Sequence, residues 1–242
     1  MTNSERAYAF CLNTFWLSVA TKDVIGRELL RSGVWDYELS KWMKKNVEPG
    51  SVCIDAGSNI GYFTEIMARR SGPTGKVYAI DANEIVTDAY LNSHRLNDYT
   101  EAAEIFVTTA ALTENDDESV SFRIPRENEG AATILDEFAY SYVPEFVSTF
   151  TAPTARLDTI ADPGPIDLLK IDLEGSEPYA FRGAGRVLDR TKRLVMEIHP
   201  LHPLDFLEEL NDRYRVSNLA GKRTMIRRPA YGKTETLVLE QR

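Results

Sequence analysis

The chain has 242 residues, 43% of them hydrophobic, and a formal net charge of −9 at pH 7. This length suits one α/β domain with embellishments, or at most two small domains. The acidic balance disfavours nucleic acid and anionic membranes as partners, since both attract a basic surface. Two cysteines, Cys11 and Cys53, are too few for a disulfide framework, which indicates a reducing, cytoplasmic setting.

Residues 1–46 are predicted to form an N-terminal helical extension of two or three helices. Within it, Ala7–Ala20 is apolar but too short to cross a bilayer, so we expect no stable membrane insertion. We predict a helix that packs on the core or on a second copy of the chain, as in a homodimer; an interfacial membrane anchor is the alternative. Five side chains would share one side of this helix: Phe10, Leu12, Phe15, Trp16 and Val19.

The most informative run is Val52–Thr64, with the sequence VCIDAGSNIGYFT. Its first five residues predict a buried strand, and Tyr62–Arg70 predicts the helix that follows. The small residues between them let the backbone approach a ligand at a helix start, where N–H groups are free. The acid at the start of the turn suits a cationic ligand such as S-adenosylmethionine (SAM) better than a pyrophosphate. The residues predicted to hold it are Asp55, Gly57, Ser58, Asn59 and Gly61.

The rest of the chain alternates predicted strands with predicted helices, which is typical of a parallel sheet with right-handed crossovers. The predicted strands are 76–80, 105–112, 119–124, 166–171, 194–198, 215–219 and 236–240; the predicted helices are 85–96, one from about 177, and 204–210. Ligands bind such sheets at the carboxyl ends of the strands. Polar residues that end strands should therefore meet at one edge: Asp55, Asp81, Asp172, Glu197 and His199.

Asp81 ends the second predicted strand and is followed by Ala82. An acid at this separation from a glycine turn can accept hydrogen bonds from the ribose hydroxyls of a nucleoside. The alternative is that Asp81 caps the helix that begins after Asn83. We favour ribose binding, with Ala82 beside it, because the acid and the turn occur at the expected separation.

A second motif, Leu168–Glu177 (LLKIDLEGSE), places two carboxylates two residues apart after a hydrophobic strand. With it, the chain resembles the FkbM family of SAM-dependent methyltransferases, from about Gly33 to Pro200. The resemblance rests on motifs that occur in the family's order: Val52–Thr64, Leu157-Asp158, Leu168–Glu177, Gly183-Ala184 and Glu197-Ile-His-Pro200.

The resemblance implies a Rossmann-like class I methyltransferase sheet over residues 47–242, mostly parallel, with seven strands and an antiparallel C-terminal strand. It implies SAM as cofactor and, usually, O-methylation of a hydroxyl on a sugar or another secondary metabolite. Two departures affect the cofactor contacts. Asp81-Ala82-Asn83 stands where the family more often has Glu-Pro-Asn, and Asp36 stands where a Gly-x-Trp-Glu sequence is common.

Three strand-end groups are candidates for activating the acceptor. His199 is the preferred base, because imidazole titrates near physiological pH; a structural histidine is the alternative. Asp172 and Glu174 are also candidate catalytic groups, and together with Glu197 they could hold a divalent ion such as Mg²⁺. In the alternative without metal, Asp172 contacts the amino-acid part of SAM, while Glu174 contacts the acceptor or caps a helix. Glu197 is expected to contact the acceptor.

Residues 126–150 interrupt the alternating pattern and are rich in aromatics. Tyr140 and Tyr142 are predicted to contact the acceptor as part of a lid; a packed surface excursion is the alternative. The remaining histidines, His94 and His202, are predicted to lie at the surface.

The leading hypothesis is a SAM-dependent O-methyltransferase with a small-molecule, hydroxylated acceptor. The alternatives are a methyltransferase acting on an amine or nucleic acid, and a non-catalytic SAM-binding subunit. A basic cluster, Lys222-Arg223 and Arg227-Arg228, could meet a phosphorylated acceptor, although such clusters are usually solvated loops.

Overall fold

The computed structural model describes residues 5–125, 132–134, 146–161 and 164–242. Its strands are β1 (Arg6–Cys11), β2 (Phe15–Ala20), β3 (Val52–Ala56), β4 (Lys76–Asp81), β5 (Glu104–Thr109), β6 (Ala111–Leu112), β7 (Ser119–Pro125), β8 (Phe146–Ala155), β9 (Ile166–Ile171), β10 (Thr191–Ile198), β11 (Tyr214–Asn218) and β12 (Glu235–Gln241). Its helices are α1 (Val24–Ser32), α2 (Tyr37–Asn46), α3 (Tyr62–Ser71), α4 (Glu84–His94), α5 (Leu157–Ile160), α6 (Glu177–Arg182), α7 (Gly185–Arg190) and α8 (Leu204–Arg213).

The chain begins with a β-hairpin, because β1 and β2 pair in antiparallel fashion. The helix predicted over Ala7–Ala20 is therefore wrong. The strands reverse at Leu12 and Asn13, which both adopt positive φ. Side chains alternate between solvent and core over Tyr8–Cys11 and Phe15–Leu17, and the end of β2 is buried on both faces. The outward positions Tyr8, Phe10 and Trp16 are also apolar. The sequence therefore lacks the alternation of apolar and polar residues by which a half-buried strand is recognised.

Two helices of the predicted extension do form, after the hairpin. Helix α1 begins at Asp23, whose carboxylate accepts the N–H groups of Ile25 and Gly26, and ends at Gly33 in the left-handed conformation. Helix α2 begins at Asp36, whose carboxylate accepts the N–H of Leu39. Within the described ranges, no helix has both the length and the apolar composition of a membrane span.

The central sheet has seven strands in the order β11-β12-β10-β9-β3-β4-β5. Strands β10, β9, β3, β4 and β5 are parallel, while β12 is antiparallel to both of its neighbours. The predicted mostly parallel sheet with an antiparallel C-terminal strand is confirmed. The predicted elements from Val52 onward shift by a few residues at most, except that the strand expected over 105–112 divides at Ala110 into β5 and β6.

Both faces of the sheet are buried, as its crossover connections require. Cys53 and Leu168 pack on one face with α3, α4 and the hairpin, whereas Ile54 and Leu169 pack on the other face with α8. The extension therefore shares a core with the sheet.

A smaller sheet, in the order β6-β8-β7, lies between β5 and α5 in the chain. The rings of Phe122 and Phe150 stack across it with centroids 5.0 Å apart. The predicted lid is only partly described. Its last residues, 146–150, belong to β8, whereas Tyr140 and Tyr142 lie outside the described residues.

Candidate active site

A cavity of about 210 Å³ opens at the carboxyl ends of β3, β4, β9 and β10. We call it the edge cavity. Six of the predicted strand-end and turn residues line it: Gly57, Ser58, Asn59, Asp81, Asp172 and Glu197. Its opposite wall is apolar and comes from the N-terminal extension, through Val24, Ile25, Trp35 and Leu39. Two predicted residues, Asp55 and His199, do not line the cavity but lie buried beneath it.

The two glycines of the turn are required by contacts within the protein. Gly57 has φ +80°, and a Cβ there would lie 1.8 Å from the carbonyl oxygen of Asp172. Gly61 has φ +85°, and a Cβ there would lie 2.2 Å from the Tyr90 ring. The first glycine brings the turn against the end of β9, and the second lets α3 pack on α4. The glycines were predicted to let the backbone approach a ligand, whereas the close neighbours in the structure are the Asp172 backbone and the Tyr90 ring.

Ser58 and Asn59 complete the turn and face the cavity. The Ser58 side chain is buried, and its Oγ has no hydrogen-bond partner within the described part of the chain. A buried hydroxyl without a partner costs free energy, so a ligand that bonds it is favoured. Asn59 adopts φ +50°, and its N–H donates to Oδ2 of Asp81 over 2.9 Å.

Asp81 joins the turn to the N-terminal end of α4, with one hydrogen bond at each carboxylate oxygen. Besides the bond from Asn59, its Oδ1 accepts the N–H of Asn83 over 2.8 Å. Asn83, rather than Asp81, caps helix α4 by accepting the N–H of Ile85. Burial raises the pKa of Asp81. A carboxylate offers about four acceptor positions, so two remain for hydroxyl donors in the cavity.

Beneath the turn, Lys170 is buried and makes four contacts. Its Nζ lies 3.3 Å from Oδ1 of Asp55, 3.6 Å from Oδ2 of Asp172 and 3.1 Å from the carbonyl oxygen of Gly57, to which it donates. It also lies 5.5 Å above the centre of the Phe63 ring. Although burial opposes the charged form, Asp55 and Asp172 raise the pKa of Lys170.

Asp55 is therefore bound within the protein. It is fully buried, and its Oδ2 accepts the hydroxyl of Thr64 over 2.7 Å while Oδ1 faces Lys170. Asp55 was predicted to attract the ligand, but its partners are Thr64 and Lys170, a residue that was not among the predicted site residues. The signal lay in the register, because Asp55 and Lys170 are direct neighbours on the parallel strands β3 and β9.

Carboxylates crowd the cavity wall after β9. Burial raises the pKa of Asp172 to about 7; the charge of Glu197 adds to this rise and Lys170 opposes it. Burial and Asp172 together raise the pKa of Glu174 well above its usual range. Glu174 adopts φ +53°, a strained backbone conformation of the kind found at functional sites. A cation bound in the edge cavity would relieve this repulsion.

His199 lies behind these acids as a buried cation. Its Nε2 is 3.0 Å from Oε2 of Glu197 and 3.8 Å from Oε1 of Glu177. Burial disfavours the imidazolium, but these two carboxylates outweigh it and raise the pKa of His199 to about 9. The ring is therefore protonated at neutral pH, which argues against the predicted role of a base.

His202, predicted to lie at the surface, is fully buried. The N–H of His199 donates to its Nδ1 over 3.3 Å, so the ring proton is on Nε2, which lies 2.7 Å from Oε2 of Glu177. The prediction was wrong because the chain turns back after β10 and brings His202 beneath α6. His94, the other such prediction, is half-buried.

A metal site was expected from Asp172, Glu174 and Glu197. Among the described residues, one group of possible ligand atoms lies within 4.8 Å of one another, and it combines Asp172 with Glu177 and His199. Glu177 already bonds His202 and the N–H of Leu173, and His199 carries a proton. Metal binding requires a deprotonated imidazole, so an ion here would have to displace the His199 proton, and the metal site stays a prediction.

An apolar slot adjoins the edge cavity and shares Gly57, Asp81 and Asp172 with it. It measures about 40 Å³. Its other walls are formed by small and apolar residues: Ala82, Ala111, Leu112, Phe122 and Ile134. The site thus combines a polar, acidic cavity with a flat apolar extension, as a nucleoside carrying a cationic substituent would require.

Fold and site together define a class I SAM-dependent methyltransferase: the strand order, the glycine turn after the central strand, and acids at neighbouring strand ends. The chain belongs to the FkbM family, because the model of the methyltransferase FkbM domain matches residues 55–217. SAM is therefore its cofactor. No curated protein matches the sequence.

Solved structures share this fold at low identity. A proposed rRNA methylase from Clostridium thermocellum is 13% identical, with a TM-score of 0.52 over 84% of this chain and 93% of that one. An O-methyltransferase from Bacillus cereus in complex with S-adenosylhomocysteine (SAH) is 14% identical, with a TM-score of 0.47 over 85% of this chain and 81% of that one. The similarity to the Clostridium protein shows the fold alone and leaves the acceptor open.

We predict that Lys170→Met lowers the free energy of unfolding by about 3–5 kcal/mol, because it leaves Asp55 buried without its cation. Urea denaturation measures the change. Adding Asp55→Asn should restore much of the loss, while Lys192→Met at an exposed position should change stability by less than about 0.5 kcal/mol. If Lys170→Met and Lys192→Met lowered the free energy of unfolding equally, the stabilising ion pair between Lys170 and Asp55 would be contradicted.

The raised pKa of His199 predicts a pH-dependent stability. A folded-state pKa of about 9 against an ordinary 6.5 gives stabilisation that is complete below pH 6.5 and lost as the pH rises through 9. The amount is on the order of 3 kcal/mol. The difference in unfolding free energy between the wild type and His199→Gln should therefore shrink over this range.

His94→Gln is the control for this measurement, since burial lowers the pKa of His94. Its difference from the wild type should not shrink between pH 6.5 and 9. A pH-independent difference for His199→Gln would mean that the ring is not charged in the folded protein.

Proposed function

We propose that this methyltransferase transfers the SAM methyl group to a hydroxyl of a small molecule, such as a sugar or another secondary metabolite. The observation that carries the proposal is the position of Asp172, a carboxylate at the end of β9 that faces the edge cavity. A hydroxyl acceptor must lose its proton during transfer, so it needs a base in contact with it.

SAM fits the edge cavity and slot by charge and by donor set. Ser58 offers a buried hydroxyl without a partner, Asp81 retains acceptor positions for ribose, and the slot beside Ala82 suits the adenine ring. Asp172 and Glu174 supply negative charge toward the amino-acid and sulfonium end. When bound, SAM supplies an electrophilic methyl group.

Asp172 is the favoured proton acceptor. Its side chain keeps 34% of its surface exposed toward the cavity, and Lys170 fixes it from behind. A pKa of about 7 is suited to proton transfer at neutral pH. Glu174 and Glu197 share the cavity wall and are placed to bond acceptor hydroxyls. His199 then acts through Glu197, which it orients with its charge, rather than on the acceptor.

The other acceptor classes have less support. The sequence after Asp172 is Leu-Glu-Gly, without the Pro-Pro-aromatic run that would clamp a planar amino group, and a chain of net charge −9 is poorly suited to nucleic acid. A non-catalytic SAM-binding subunit would use the acids of the edge cavity for the cofactor but would not need a proton acceptor that faces a second ligand. The homodimer stays a prediction, and the exposed hairpin side chains Tyr8, Phe10 and Trp16 are its candidate contact.

Asp81→Ala should weaken SAH binding by about tenfold or more, because it removes a ribose acceptor and the hydrogen bond that holds the turn at Asn59. Isothermal titration measures the affinity. Asp88→Ala, on the exposed face of α4, is the matched control and should bind SAH as the wild type does. Unchanged affinity in Asp81→Ala would exclude the ribose assignment.

Asp172→Asn should reduce methyl transfer by about 10²–10⁴-fold, the usual contribution of a general base. SAH affinity should change only a few-fold. An intact-mass screen across sugars, glycolipids, phenols and hydroxy acids, with and without chelator, first identifies the acceptor and any metal requirement. His199→Gln should retain measurable turnover; if it is inactive while Asp172→Asn is active, His199 is the base.

A further inference from the structure

Positive charge is concentrated in one stretch of this acidic chain. Residues 213–234 contain no aspartate or glutamate, although the whole chain has a net charge of −9. The basic residues of this stretch are Arg213, Arg215, Lys222, Arg223, Arg227, Arg228 and Lys233. A local excess of this size produces a positive field at the surface in spite of the acidic total.

The stretch folds around an open cleft of about 810 Å³, much larger than the edge cavity. The cleft lies along β11, between residues 223–227 and the end of α8. Four guanidinium groups line it, and we call it the arginine cleft: Arg215, Arg223, Arg227 and Arg242. Ile226 anchors the outer wall by exchanging two hydrogen bonds with the Asn211 side chain.

These four arginines have no carboxylate partner among the residues that the structure describes. Arg215 donates to the carbonyl of Gln241, and Arg242 donates to the carbonyls of Asn211 and Tyr214. Such bonds fix a guanidinium and do not neutralise its charge. Two carboxylates, Asp212 and Glu235, also line the cleft, so the four guanidinium groups leave a net positive charge there. By contrast, the neighbouring Arg213 pairs with Asp189 over 2.6 Å.

The basic stretch is also tied to the active site. The Thr234 hydroxyl donates to Oε1 of Glu197 over 2.6 Å, and Arg228 donates to the carbonyl of His202 over 2.9 Å. Glu235 lines the arginine cleft, and the next residue, Thr236, lines the edge cavity. The two sites are thus neighbours across the start of β12.

We propose that the arginine cleft binds the phosphate or diphosphate group of a small molecule, and that this molecule is the methyl acceptor. Planar guanidinium groups bind phosphate oxygens in pairs and keep their charge at any physiological pH. The acidic edge cavity repels phosphate, so an acceptor of this kind needs a separate basic site. The identity of the ligand as acceptor rests on the proposed function, whereas the phosphate site does not.

The test is isothermal titration with inorganic pyrophosphate and with uridine diphosphate at fixed ionic strength. Arg223→Gln/Arg227→Gln should weaken both by about tenfold or more, because it removes two charge-assisted contacts. The control Arg70→Gln/Arg190→Gln removes the same charge from exposed positions elsewhere and should bind as the wild type does. Thermal unfolding verifies that all variants are folded.

Equal binding by both double variants, or no binding by the wild type at about millimolar probe, would overturn the proposal. Tighter binding of a short RNA than of pyrophosphate, lost in Arg223→Gln/Arg227→Gln, would assign the cleft to nucleic acid instead. Titration of SAH into the same samples distinguishes failure of the proposed function from failure of the phosphate site. If the wild type does not bind SAH, the proposed function is contradicted. If it binds SAH but not pyrophosphate, only the phosphate site in the arginine cleft is contradicted.

Discussion

The active site depends on one buried ion pair, between Lys170 and Asp55. Burying two charges costs free energy, and their mutual attraction offsets this cost only when the geometry is good. We therefore attribute the presence of this pair to the groups that it positions. Here the lysine joins three parts of the site: the acid under the turn, the carbonyl of Gly57 and the carboxylate of Asp172. The close contact of Gly57 with the backbone of Asp172 keeps the same parts in register.

The charges around this pair explain why the site suits SAM. Carboxylates outnumber cations on the cavity wall, and the raised pKa values of Asp172 and Glu174 express that imbalance. His199 offsets part of it from behind as an imidazolium. A ligand with a sulfonium and an ammonium group would offset more of it from within the cavity. Positive charge is concentrated instead in the arginine cleft, on the other side of β12.

Much of this could be predicted from the sequence, because the relevant signals are local. The alternation of strands and helices gave the sheet, and Asp81, Asp172 and Glu197 meet at its edge as the rule for parallel strands requires. What escaped prediction depends on tertiary neighbours. Lys170 and His202 are buried by partners distant in sequence, the pKa of His199 depends on Glu177, and the hairpin was hidden by outward-facing aromatics.

We propose that the glycine turn and the acids of neighbouring strands form one SAM site. Hydrogen–deuterium exchange of the wild-type chain, with and without saturating SAH, tests it most directly. SAH bound at this site should slow exchange at residues 56–62, 81–84 and 172–176, with little change in the N-terminal hairpin and the arginine cleft. Protection confined to other segments, or none at these three, would contradict it.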